Sequence, residues 1–403
     1  MSRILIYVFP ALMDTVVASV GFICTVRAVQ AGLSASKVAN VLTLWAVAYM
    51  IACPIVGRIV NPRNAARILI GACLAVAAVC VCFLEFQSIT AMYVLTMLVA
   101  FGMAFFFVAF QVFMKHVDSG GSKSIAYSTG LYTFAWSSGI AVGPFMAGFL
   151  WKTVGWQNCF LIDAGAALAT AAGVYLMKHH AEAATASQER GIRPTVRPEA
   201  IDYARMPDLA WMGWLCGGVG ALTFALFRGV FPSSGTFHHL EPEALGLVFF
   251  ISAETQALMG LILRGSRIWM YKPLPLIAFG TFGMAGLALF AAGTTAPAFY
   301  VGAACYGVYS GTFFFYLVFH ALVHPAKSGR YISINESVIG VTGIIGPLVG
   351  GKLADLHGFT VPYLACVGLV AAAITLQAIV HSRHSERVKV SLATADVRVR
   401  NDE

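Results

Sequence analysis

Twelve stretches of this chain stay apolar for long enough to cross a bilayer, which takes roughly 20 residues of helix. Six lie near 4–26, 38–56, 68–85, 91–114, 125–150 and 157–177. After a polar gap, six more follow near 209–231, 244–263, 274–293, 298–322, 332–350 and 360–381. The pattern predicts an all-α integral membrane protein with about twelve transmembrane helices in two six-helix halves, 1–177 and 209–381. The interval 178–208 is poor in large apolar residues and reads as a linker, and 382–403 as a loose polar tail. The first run is too long for a signal peptide and counts as a span.

The halves are related by a repeat. Gly143-Pro144-Phe145-Met146-Ala147-Gly148, then Gly155-Trp156 and Phe160, recurs as Gly346-Pro347-Leu348-Val349-Gly350-Gly351, then Gly358-Phe359 and Tyr363, at a constant offset of 203. A period of half the chain implies two similar domains and not a solenoid. A Gly-Pro step bends an apolar helix, and the small residues around it let another helix approach closely.

Composition agrees: 59% of residues are hydrophobic and 11% charged, against about 25% charged in soluble domains. The net charge of +8 is topological. About 21 of the 26 Lys and Arg fall on the side that holds both termini and the linker, leaving Arg27, Lys37, Lys152, Arg228 and Lys352 opposite. Positive loops stay inside, so both termini are expected in the cytoplasm, in a plasma (inner) membrane, and nucleic acid is not implied. Nine cysteines lie within apolar runs without metal-ligand spacing. No metal or cofactor is called for. The sequence Gly346 to Lys352 has phosphate-loop spacing, but Leu353 follows and no strand precedes it, so nucleotide binding is rejected.

Six plus six spans, duplicated halves and the Gly-Pro stretches resemble the major facilitator superfamily over nearly the whole chain. Gly57-Arg58-Ile59-Val60-Asn61-Pro62-Arg63, with Arg67, is similar to that family's pattern between helices two and three, except that Asn61 replaces an acid. Leu98, four residues before Gly102, stands where proton-coupled drug exporters carry Arg. The resemblance implies that helices one, four, seven and ten line a central cavity. It makes Gly57, Arg67, Gly143, Pro144, Gly346 and Pro347 candidates for conformational motifs.

Ionisable residues within spans are functional candidates because burying them is costly. Asp14 lies ten residues into the first run, ~15 Å deep at 1.5 Å per residue. A carboxylate there could take up and release a proton as access alternates. Glu254, midway along the eighth span, and His320 in the tenth are its candidate relays; Asp163, in the sixth, reads as structural. Arg27 and Arg228 share the surroundings Val-Arg-Ala-Val and Phe-Arg-Gly-Val. They read either as an anion-attracting pair or as snorkelling ends. Gln111 and Lys115 align with His320 and His324, and Trp136, Tyr306 and Tyr309 are candidate cavity walls.

The expected function is secondary transport of a small organic solute by alternating access, proton-coupled and favouring an organic anion. The alternative is export of amphipathic or hydrophobic compounds. An enzyme would need convergent His, Asp or Ser clusters, which the spacing does not provide. The expected partners are the solute, protons and the lipid bilayer, with no oligomer required.

Overall fold

The computed structural model describes residues 3–117, 125–189, 208–264, 269, 272–322 and 328–401. Among these residues all regular structure is helical. The helices are α1 (Val8–Gln30, entered through a short 3-10 segment, Arg3–Tyr7), α2 (Ala35–Ile59), α3 (Ala65–Glu85), α4 (Ile89–Val117), α5 (Ile125–Trp151) and α6 (Trp156–Glu189). The second half supplies α7 (Ala210–Phe237), α8 (Pro242–Arg264), α9 (Pro273–Ala292), α10 (Ala296–Leu322), α11 (Ser328–His357) and α12 (Thr360–Asn401). All twelve contain a span long and apolar enough to cross a membrane. Two ends differ from expectation: α6 continues to Glu189 and α12 through the expected loose tail to Asn401. An even number of spans puts both termini at one end of the bundle, the terminal end. The α1–α2, α5–α6, α7–α8 and α11–α12 turns mark the distal end.

Packing repeats from half to half. In the first, α3 lies against α4 and α6, and α1 against α5; in the second, α9 lies against α10 and α12, and α7 against α11. Two seams join the halves, α5 against α8 and α2 against α11. The scaffold helices turn apolar side chains outward, among them Leu74 and Val81 of α3, Leu161 and Leu168 of α6, and Leu364 and Leu369 of α12. In water such a surface would aggregate; in lipid it is the solvated face.

Each position of the repeat has a physical reason. A Cβ at Gly143 would press on the Thr15 carbonyl and come within 2.7 Å of the Ser19 amide, so this glycine lets α5 cross α1. At Gly346 a Cβ would meet the Leu222 carbonyl at 2.7 Å, the same crossing of α11 over α7. Gly155 and Gly358 turn the chain with φ of 80° and 79°, a conformation that favours glycine. Phe160 then stacks on Phe83 at 4.3 Å, and Tyr363 packs on Phe290 at 5.8 Å, fastening α6 to α3 and α12 to α9.

Overpacking at such a crossing costs about 1–3 kcal/mol or more. Gly143→Leu is expected to lower the melting temperature and the monodisperse yield in detergent. Gly165→Leu is the control, because a Cβ there meets nothing within 4 Å. Equal behaviour of the two variants would show that the crossing is not tight.

Candidate functional site

The site forms where the bent helices meet. A narrow crevice with room for about one water lies between the halves, lined by Ala18, Gly21, Phe22 and Thr25 of α1, Leu42 of α2, Pro144 of α5, Arg228 of α7 and Phe249 of α8. Pro144 of the repeat is thus part of the wall. Its twin Pro347 supports the opposite side, seated against Gly229 beside Arg228.

Arg228 is the only charged residue in that lining. Its guanidinium lies 5.6 Å over the Phe224 ring. It makes no hydrogen bond or ion pair within 4 Å among the described residues. Asp14 of α1 is within electrostatic reach of it, from the other half, yet too far for a direct ion pair. Asp14 is 7% exposed, packs beside Gly139 of α5, and its Oδ2 has no hydrogen-bond partner among the described residues. A cation and an acid therefore face one another across the halves, each with valence left over.

Aromatic rings bound this pair on both sides. Toward the distal end, Phe22 meets Phe249 edge-on at 6.1 Å, and Phe249 continues into Phe227 and Phe231 of α7. Toward the terminal end, Trp136 of α5 meets Phe314 of α10 at 5.0 Å, and Phe314 meets Phe224 at 5.4 Å.

Other polar groups at mid-depth are spent within or between helices. Ser19 donates to Asp163 Oδ2 at 2.8 Å, a buried tie from α1 to the scaffold. Tyr306 bonds Thr223 at 2.9 Å, inside the second half, and Tyr309 packs over Gly283 of α9 and against Phe313. Neither tyrosine lines the cavity found here. Gln256 donates to Ser137 at 2.7 Å across the α5–α8 seam.

Several candidates lie elsewhere. Arg27 stacks over Trp156 at 4.6 Å and donates to Gln30, so it braces α1 on α6 while Arg228 faces the cavity. Glu254 is half-exposed, and Leu258 and Ile262, one and two turns along its face, are 48% and 59% exposed. That stripe is the exposed side of α8, and the Glu254 carboxyl lies at its edge, beside the buried Ser138 hydroxyl of α5. His320 is buried against Tyr316, whose hydroxyl bonds His381 Nε2 at 2.7 Å. It packs beside Gly213, fifteen residues or ~22 Å along α7 from Arg228. The Lys115 side chain falls outside the described residues. Gln111 is exposed and adjoins Tyr132, which with Tyr49, Cys53 and Glu336 forms a polar cluster toward the terminal end.

Gly57 and Arg67 are exposed at the terminal end. Asn61 accepts from the Arg63 and Asn64 amides at 3.0 and 3.1 Å, building the turn into α3 rather than a bond between halves. The distal end is closed by two contacts the sequence reading missed. Asp355 of α11 accepts from the Ala35 and Ser36 amides at 2.8 and 3.1 Å, capping α2, and Lys152, just after α5, lies 4.0 Å from Glu241, just before α8. Continuing the 203-residue offset from Lys152 leads to Asp355, so the signal was present in the repeat.

The family model described as Major Facilitator Superfamily matches residues 4–326. The chain belongs to the Major Facilitator Superfamily. An uncharacterized MFS-type transporter of Methanocaldococcus jannaschii is 35% identical over 75 residues, 17% of this chain and 19% of that relative's length. The solved structure of the nucleoside transporter NupG superposes with a TM-score of 0.67 at 11% identity, covering 94% of this chain and 98% of the other. A bacterial homolog of the human lysosomal transporter Spinster, inward-facing and unoccupied, gives 0.63 at 12% identity over 96% and 98%. At such identities the likeness is one of fold. This MFS chain is a multi-pass integral membrane protein, and what it carries has to be argued from its own residues.

Proposed function

We propose that the protein moves a small organic anion together with a proton by alternating access between its halves. The observation that carries this reading is Arg228, a guanidinium in an inter-half cavity with no ion-pair partner among the described residues. Asp14 is the proton carrier.

The charges explain why proton and anion travel together. In this reading the empty form that reorients pairs Arg228⁺ with an ionised Asp14 and is neutral. The fully loaded site holds Arg228⁺, the anion and protonated Asp14, and is neutral again. Either ligand alone leaves one net charge, which is costly to enclose away from water. Only the empty and the doubly loaded forms therefore reorient readily. The lysine and arginine distribution supports a plasma membrane with the terminal end in the cytoplasm. The distal closure by Asp355 and Lys152 then corresponds to a state sealed from outside.

The test uses the purified full chain in liposomes loaded with a pH-sensitive dye, supplied in turn with carboxylates, phosphorylated compounds, sugars, amino acids and amphipathic cations. An anion-dependent pH change, absent from protein-free liposomes, is expected. A response confined to amphipathic cations or neutral compounds would replace this reading with export of amphipathic compounds, which the Trp136–Phe314–Phe224 cluster also favours.

A further inference from the structure

We propose that the anion is an amphipathic monocarboxylate: one carboxylate on an apolar, preferably aromatic, body. The inference rests on the reading that Arg228 receives an anion, and follows from counting what else the site offers. The one hydroxyl in the cavity wall, Thr25, donates its proton to the Phe22 carbonyl at 2.9 Å and has only acceptor capacity left. Apart from Arg228 the rest of the lining is apolar: Ala18, Gly21, Phe22, Leu42, Pro144 and Phe249 offer a sugar or a nucleoside no side-chain partner.

A polyhydroxylated solute would thus enter with several donors unmet, each costing about 1–3 kcal/mol. A dianion would bring a second charge, and Arg228 is the only cation in the wall. Arg27, the other candidate, is occupied on Trp156. An uncompensated charge in such a place is strongly unfavourable. A single carboxylate fits the guanidinium fork bidentately.

The body of the ligand is chosen by the rings. Phe22 and Phe249 line the cavity together with Arg228, so a carboxylate on Arg228 has its substituent among aromatic walls. Edge or offset contact with these rings adds to simple burial for an aromatic body and not for an aliphatic one. Monocarboxylate and proton together are neutral, so net transport carries no current.

The experiment is calorimetric titration of the purified full chain in nanodiscs with benzoate, hexanoate, succinate and glucose 6-phosphate. Benzoate is expected to bind most tightly, at least about tenfold better than succinate or glucose 6-phosphate, with hexanoate between. Phe249→Leu should shrink the preference for benzoate over hexanoate while leaving hexanoate binding in place. Equal or tighter binding of succinate or glucose 6-phosphate would overturn the monocarboxylate assignment and leave the anion reading standing. Binding of none of the four, or wild-type affinity in Arg228→Gln, would overturn both.

Discussion

Replacing Arg228 with glutamine is expected to raise the KM for the transported anion about 10–100-fold, because a hydrogen bond to a charged group contributes about 1.5–3 kcal/mol. The side chain has no described ion-pair partner to leave unpaired and stands in a cavity, so the change removes a ligand contact more than a structural one. Arg228→Lys should recover part of the loss, since it restores the charge but not the planar fork. Arg27→Gln, which loses only a stacking contact on Trp156 and a bond to Gln30, should leave KM within about twofold. Initial uptake rates in liposomes decide the matter. An unchanged KM in Arg228→Gln would remove the basis for anion transport.

Asp14→Asn should abolish uphill accumulation while leaving exchange of labelled for unlabelled anion. In the wild type each pH unit across the membrane supplies about 1.4 kcal/mol, enough for about tenfold accumulation with one proton per anion. Asparagine is nearly the size of aspartate, so the fit against Gly139 survives, but it neither binds nor releases a proton. The variant site is neutral only when the anion is bound, because Arg228 then has its counter-charge. Reorientation of the loaded form continues and return of the empty form is impeded. Counterflow without accumulation is the signature. Full accumulation driven by a pH gradient in Asp14→Asn would assign coupling to another group.

Much of this architecture was legible before any coordinates. Apolar run length located all twelve spans. The 203-residue repeat marked the helix crossings, because only glycine admits the approach seen at Gly143 and Gly346. Rotation about the helix axis was harder to read. Arg27 and Arg228 have matching neighbours, yet one turns to Trp156 and the other to the cavity. Glu254 and Gln256 are two positions apart, which is about 200° of turn. Gln256 faces the seam, while Glu254 lies at the edge of the exposed stripe of Leu258 and Ile262. His320, Tyr306 and Tyr309 lie on a helix rich in aromatics, where the pattern alone does not separate packing within a half from a surface between halves.

The distal closure also has a mechanical consequence. Its two edges are equivalent by the repeat but chemically unlike. On one, Lys152 and Glu241 are held 4.0 Å apart with side chains 57% and 69% exposed, an arrangement that salt screens readily. On the other, Asp355 is seated on two backbone amides at the start of α2, using the helix dipole as well as two charge-assisted bonds. The two edges need not part together. Along α5–α8 close backbone packing stands in for charge, with Gly148 against the Pro242 carbonyl and Gly246 against that of Pro144. Along α2–α11 the bonded carboxylate is itself the latch, so a rise in salt loosens the first edge's ion pair but not its seam.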